Sequence, residues 1–279
     1  MDARPGAPSQ ETGSELDVRD AALVADAVEA AGDVALSFFR NNAKHWDKDD
    51  GSPVTEADLA VDEKLHEFLG TARPHYGFLS EEKGRTGEAD RTFVIDPIDG
   101  TRGFMTGDPV WAIVVAVVEN GRPVAAAIRE PVLGVTYTAF RGGGAFLNGR
   151  LIAVRGGDAD LDPIKGALIA CPMSIFRDAR LKHEGATRAP VLPSLALRLA
   201  RVADGRFSGC IAKSGAHHWD LAAADLLVSE AGGTLLSLTG EHLRYDTAET
   251  RHGPIVSAAE GLAAKLRSLA GRAFPVPAQ

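Results

Sequence analysis

The residues best suited to chemistry lie in one stretch, Phe93-Val94-Ile95-Asp96-Pro97-Ile98-Asp99-Gly100-Thr101. It opens as a short apolar strand and ends in two carboxylates, Asp96 and Asp99. Pro97 fixes one backbone dihedral between them, and Gly100 permits a left-handed turn after them. Bare carboxylates at a strand end repel each other and resist burial. Two or more divalent cations would remove that conflict, and ligands that are all oxygen favour hard ions such as Mg²⁺. The first expectation is a Mg²⁺ site that handles phosphate.

Other acidic positions could join it. Glu81 and Glu82 end a strand predicted over 76–80. Adjacent glutamates are commonly just solvated, but a pair at a strand end this close before Asp96 can meet it across a sheet. Asp58 falls in the first turn of a helix predicted over 53–69 with Thr55 as its cap, where a helix-dipole charge explains it as well as chemistry does. Asp220 opens the helix predicted over 219–230, as a cap, a ligand or both. Gly100 and Thr101 open a short helix or turn whose N–H groups would face an anion. Arg102 beside them is either a phosphate contact or solvated. His217 and His218 invite a zinc reading, yet no Cys or His stands at zinc-like spacing. They face substrate or are plain loop residues.

Positioning these groups takes two kinds of architecture. Apolar residues at helical spacing predict an amphipathic helix over 18–39. A polar loop, 40–51, delivers Lys48, Asp49 and Asp50. Strands are expected over 110–118, 123–128, 135–140, 145–148 and 150–154, with hairpin turns at Asn120-Gly121 and Asn148-Gly149. The segment 83–91 reads as a mobile polar loop. This half is a largely antiparallel sheet with two helices packed on it. After a Gly- and Asp-rich linker, 156–163, strands and helices alternate: strand 167–171, helix 193–204, strand 207–212, helix 219–230, strand 234–238 and helix 257–270. The expected division is a disordered lead-in, 1–16, an N-terminal α+β domain, 17–155, carrying most of the candidate ligands, and a C-terminal α/β domain, 164–279, supplying Asp220. The site then lies in the cleft between them.

Composition bounds the function. A net charge of −8 argues against nonspecific binding to a nucleic-acid polymer or an anionic membrane, since both want excess Lys and Arg. The longest apolar run, 110–118, is far short of the ~20 residues a spanning helix needs. Residues 1–16 lack the apolar core of a secretory signal. The two cysteines, Cys171 and Cys210, read as small buried residues in a cytoplasmic protein.

Several of these pieces carry a family resemblance. Asp96-Pro97-Ile98-Asp99-Gly100-Thr101 resembles the signature of the inositol monophosphatase superfamily of Mg²⁺-dependent, lithium-sensitive phosphomonoesterases. Gly51-Ser52-Pro53-Val54-Thr55-Glu56-Ala57-Asp58 resembles its upstream motif, and Ser80-Glu81-Glu82 its acidic motif, usually Gly-Glu-Glu. Trp219-Asp220-Leu221-Ala222-Ala223-Ala224, followed by Glu230-Ala231-Gly232-Gly233, resembles the C-terminal signature. The resemblance implies a layered αβαβα sandwich of the sugar-phosphatase type. It implies that Glu81, Asp96 and the carbonyl of Ile98 hold one ion, and that Asp96 bridges to a second held by Asp99 and Asp220. A third, weaker ion would sit near Glu81, with Glu82 behind it or exposed. Thr101, with Glu81 or Asp58, would orient the attacking water, and Asp99, Gly100, Thr101 and Asp220 would contact substrate. Two ions roughly ~4 Å apart could activate that water and stabilise the leaving alkoxide. No covalent phosphoenzyme is implied, and a homodimer is.

Three substrate branches compete. Asp47-Lys48-Asp49-Asp50-Gly51-Ser52-Pro53-Val54-Thr55 and the tail Gly240-Glu241-His242-Leu243-Arg244-Tyr245-Asp246 resemble bacterial 3'(2'),5'-bisphosphate nucleotidases, which convert adenosine 3',5'-bisphosphate to AMP. Arg102, with Thr106-Gly107-Asp108-Pro109-Val110-Trp111, is closer to histidinol-phosphate phosphatases. Inositol monophosphatases are the third. The balance favours the nucleotidases. A relative that binds metal and phosphate for regulation without turnover is a separate class, and the intact acidic set argues against it.

Overall fold

The computed structural model describes residues 13–41, 43–48, 51–156 and 162–274. Helix α1 (Gly13–Phe38) is followed by a small hairpin of β1 (His45–Asp47) and β2 (Pro53–Thr55), by α2 (Glu56–Ala72), and by β3 (Gly77–Ser80), β4 (Gly84–Thr86) and β5 (Arg91–Asp99). A short helix, α3 (Thr101–Met105), leads to β6 (Ala112–Glu119), β7 (Arg122–Glu130), β8 (Val135–Phe140), β9 (Gly144–Leu147) and β10 (Arg150–Ile152). Next come β11 (Leu168–Ala170), α4 (Met173–Asp178), β12 (Thr187–Arg188), α5 (Leu195–Ala203) and β13 (Gly209–Ala212). The chain closes with α6 (His218–Glu230), β14 (Thr234–Ser237), β15 (Ile255–Ala258) and α7 (Glu260–Ala270).

Strands β3 to β10 form an eight-stranded sheet ordered β10-β9-β8-β7-β6-β5-β3-β4, in which β3 and β5 run parallel and the other pairs antiparallel. A five-stranded mixed sheet is ordered β12-β11-β13-β15-β14. Strand periodicity separates the layers. Phe93 and Ile95 of β5, with Ile113, Val115 and Val117 of β6, join the core under α1 and α2. Val94, Val114, Ala116 and Val118 face the other way, into a core shared with α5, α6 and the near face of the second sheet. Ile211 and Val256 on its far face pack with α4 and α7. The result is the expected αβαβα sandwich.

Both expected hairpin turns form. Asn120 and Gly121 (φ 53° and 77°) and Asn148 and Gly149 (φ 47° and 75°) are consecutive left-handed pairs, the backbone of a type I′ turn. Other details differ from the sequence reading. Helix α1 begins at Gly13, inside the expected lead-in. Residues 1–12, Asp49, Asp50 and most of the expected linker, 157–161, lie outside the described residues. The segment 83–91 is no loop throughout, because β4 pairs with β3. All three β4 residues are exposed, so no apolar alternation announces the strand. The expected helix over 257–270 is a strand and then a helix: β15 is buried on both faces and so lacks the alternation that marks a strand. Cys171 and Cys210 are buried free thiols. No helix among the described residues is long and apolar enough to cross a membrane.

One buried ion network ties α1 to the large sheet. Arg91, 5% exposed, donates to Asp17 and Asp20 at 2.8 Å each and to Glu119 at 2.9 Å. Arg91→Ala leaves two buried carboxylates short of a partner, so it costs roughly 3–5 kcal/mol of stability, measured by urea unfolding.

Candidate active site

On a regular strand, residues three apart face opposite sides. Asp96 and Asp99 escape this through an irregularity in β5. Asp96 pairs with Val114 and Asp99 with Ala112, so three steps on β5 match two on β6. The extra residue is a bulge between Asp96 and Asp99, the stretch that holds Pro97, which has no N–H to give to a ladder. Ile98 then packs with Phe104 and Trp111 under α1, while both carboxylates turn to the α5–α6 side. One oxygen from each of Asp96, Asp99 and Asp220 lies within 4.8 Å of the other two.

Helices α5 and α6 bring the rest. Gly100 (φ 100°) makes the left-handed turn that ends β5, and a Cβ there would stand 3.3 Å from the Ser194 nitrogen. That close approach puts the N-terminus of α5 on Asp99. Asp99 accepts from Ser194 Oγ at 2.6 Å, Ala196 N at 2.6 Å and Leu195 N at 3.2 Å. Ser194 also caps α5, accepting from Leu197 N at 3.0 Å. Asp220 stands third in α6 and accepts the His217 N–H at 2.5 Å, so it both caps the helix and reaches the cluster.

Electrostatically this set is unstable by itself. Burial, and then the charges of Glu81, Asp99, Asp220 and Asp58, push the Asp96 carboxyl well above its ordinary range. Asp99 is raised mainly by burial, despite its hydrogen bonds. Asp220 is pushed to about 8 by burial and then by Asp99. Asp96 Oδ1 is buried and has no hydrogen-bond partner among the described residues. Three buried carboxylates converging on one point, one with an orphaned oxygen, fit a hard divalent cation.

The remaining expected residues surround this corner. Asp58 Oδ2 accepts from Thr55 N at 2.8 Å and Thr55 Oγ1 at 2.6 Å, which completes a capping box on α2. Its Oδ1 faces Thr101 Oγ1 at 3.4 Å. Thr101 Oγ1 donates at 2.9 Å to the Ile98 carbonyl. Burial lifts Asp58 to about 6. Glu81 lies outside the three-carboxylate set, although its charge is the largest electrostatic influence on Asp96. Lys48 Nζ bridges Glu81 at 2.9 Å and Glu82 at 2.7 Å, and Glu82 is not exposed: its side chain is 5% accessible, and burial lifts it to about 7. Arg102 is exposed. His218 is buried against His252, with Nδ1 and Nε2 2.8 Å apart, and its Nε2 faces Thr247. His217 stacks on Trp219 and bonds Thr250.

Ser194 and Arg198 escaped the sequence reading. Ser194 before an apolar helical run was legible as a cap, but its second partner, Asp99, is 95 residues earlier. Arg198 lies on the first turns of α5, where its Nε donates to the Ser194 carbonyl at 3.2 Å. Its charge lowers both Asp99 and Asp220.

A family profile described as the inositol monophosphatase family matches residues 15–271. The chain belongs to this family. An inositol-1-monophosphatase of Mesorhizobium japonicum is 36% identical over 207 residues, 69% of this chain and 75% of that one. A 3'(2'),5'-bisphosphate nucleotidase CysQ of Aggregatibacter actinomycetemcomitans is 29% identical over 243 residues, 83% of this chain and 89% of that one. The solved extragenic suppressor protein suhB of Bartonella henselae superposes with a TM-score of 0.79 at 28% identity, covering 89% of this chain and 97% of that one. Like its inositol monophosphatase relatives, the chain is a phosphoric monoester hydrolase.

Proposed function

We propose that the chain hydrolyses a 3'(2'),5'-bisphosphate nucleotide, most simply adenosine 3',5'-bisphosphate to AMP, with two or three Mg²⁺ ions. Asp96, Asp99 and Asp220 would hold one ion, and Glu81, Asp96 and the Ile98 carbonyl another, with a third near Glu81. Bound there, Mg²⁺ supplies positive charge to the phosphoryl oxygens and acidity to the attacking water.

The chain's own groups do the rest. Asp58 is anchored through Oδ2 and keeps Oδ1 toward Thr101. With its pKa near 6 it can take a proton from water around neutral pH. Thr101 directs its one hydroxyl proton to Ile98, so its lone pairs can accept from the same water. Gly100 and Thr101 offer N–H groups to the phosphate, while Asp99 and Asp220 face the leaving group.

Arg198 carries the choice of substrate. It is half-buried, its Nε is fixed to Ser194, and its terminal nitrogens make no ion pair among the described residues. The nearby carboxylates do not capture it, because the α5 N-terminus engages Asp99 and His217 engages Asp220. A guanidinium with its fork free beside a phosphate site suits a substrate bearing a second anionic group. The motif around Lys48 and the CysQ relative support the same branch.

At saturating Mg²⁺, kcat/KM for adenosine 3',5'-bisphosphate should exceed that for inositol 1-phosphate and histidinol phosphate. Arg198→Ala should lower the first about 10–100-fold, the worth of a charge-assisted hydrogen bond, and leave the other two within about threefold. A parent enzyme that prefers either singly phosphorylated substrate would overturn the assignment.

A further inference from the structure

Asp62 is a buried carboxylate with no part in the chemistry above. It follows Asp58 by one turn of α2, so both acids look toward the large sheet. Asp62 is fully buried, where an ionised group is costly unless its oxygens are engaged. Among the described residues its partners are confined to residues 80–83 and to its own helix. Ser80 Oγ donates to Asp62 Oδ1. Lys83 Nζ lies 3.1 Å from Oδ2 and His66 Nδ1, on α2, 3.4 Å from it, charge contacts that leave Oδ2 without a hydrogen bond among the described residues. Ser80 Oγ also accepts the Glu82 N–H at 3.2 Å.

These contacts hold Ser80 and, through its hydroxyl, Glu82, on both sides of Glu81, with the Lys83 ammonium paired to Asp62. The Glu81 N–H is itself bonded to the Ile95 carbonyl at 3.2 Å. The backbone around Glu81 is thus pinned, while its side chain is held by Lys48 and its charge is felt at Asp96. The hydroxyl that joins Asp62 to this loop belongs to Ser80, where the related acidic motif usually has Gly. A carboxylate that served only the fold would have no reason to converge on the residues flanking a candidate ligand.

We propose that Asp62 and Ser80 are positioning residues that set where the Glu81 carboxylate meets the divalent cation beside Asp96. The inference rests on the reading of Glu81 as a ligand. Outer-shell partners of this kind change metal affinity by about 10–100-fold.

Calorimetric titration of the EDTA-stripped, dialysed chain with Mg²⁺ tests it, alongside thermal melting without metal. Ser80→Ala and Asp62→Asn should each weaken Mg²⁺ binding about 10-fold or more, and Ser80→Thr, which keeps the hydroxyl, should stay within about threefold of the parent. Ser80→Ala decides the matter where Asp62→Asn does not fold. Variants that melt at lower temperature but bind Mg²⁺ like the parent would overturn the proposal and leave Asp62 a purely structural acid. Glu81→Gln separates the two readings. If it binds Mg²⁺ like the parent, the ligand reading fails and the inference with it. If it binds weakly while Ser80→Ala does not, the ligand reading stands and the tether alone is wrong.

Discussion

Asp96→Asn lowers kcat by on the order of 10³-fold or more, the loss expected when a preorganised charge at the reacting centre is removed. In EDTA the same change raises the melting temperature. These two effects belong together. Asp96 is buried among Glu81, Asp99, Asp220 and Asp58, and its Oδ1 has no partner among the described residues. An isosteric amide removes the cost of burying that charge, or of binding a proton to quench it, and adds an N–H donor beside carboxylate oxygens. A carboxylate kept for the fold would show the reverse, as Arg91's partners Asp17 and Asp20 should. With Mg²⁺ the order of stability inverts, because the parent gains from binding the ion by mass action and the variant loses that gain. Phosphate release from adenosine 3',5'-bisphosphate and paired melting curves, with Mg²⁺ and with EDTA, measure both effects. Turnover within tenfold of the parent, or a lower melting temperature in EDTA, would show that Asp96 is not the centre of a cation site.

Much of this corner was legible in the sequence because its chemistry is local. Asp96, Pro97, Asp99 and Gly100 carry the whole logic of the turn: a proline inside an otherwise apolar strand demands a bulge, and the bulge is what lets two carboxylates three positions apart face the same side. Asp58 was legible as a first-turn acid because Thr55 caps its helix, and the structure adds that the capping hydroxyl holds one carboxylate oxygen and frees the other. The groups that position these residues were harder to see. Ser194 reads as an ordinary cap until the close approach of Gly100 puts Asp99 against it. Asp62 reads as a polar position on an amphipathic helix, and its link to Ser80 exists only once α2 lies against β3. Strand β4 has no buried side chain and β15 has no exposed one, so neither shows the alternation by which strands are recognised. What was missed depends on tertiary neighbours, which periodicity does not encode.

The pH dependence of stability should reveal the same cluster without any assay of turnover. In EDTA, Asp220 titrates at about 8, lifted first by burial and then by Asp99, whereas in the unfolded chain it titrates near 3.8. Asp96 and Asp99 are raised as well, and Glu82 titrates at about 7. Between the unfolded and folded values the native protein holds more protons than the unfolded chain. Its stability therefore falls as pH rises through that window, and the share owed to Asp220 is complete above about 8. Each excess proton contributes about 1.4 kcal/mol per pH unit. His252 works in the opposite sense: burial lowers it to about 4, so its contribution is lost only as pH falls below 6.5. A fall between pH 6.5 and 8.0 is therefore owed to the carboxylates, since the imidazoles act in the opposite sense and the buried thiols of Cys171 and Cys210 weigh in only as pH nears the 9.0 of a free thiol. Over that range the melting temperature in EDTA should fall by several degrees, while Mg²⁺ holds it nearly level, because the cation takes the place of the protons and binds more tightly as they leave. The gap between the Mg²⁺ and EDTA curves should widen with pH in the parent and widen less steeply in Asp220→Asn, which has one fewer proton to lose. A flat EDTA profile with a constant gap would mean that these carboxylates ionise freely, and the cluster would then have no physical need of a cation.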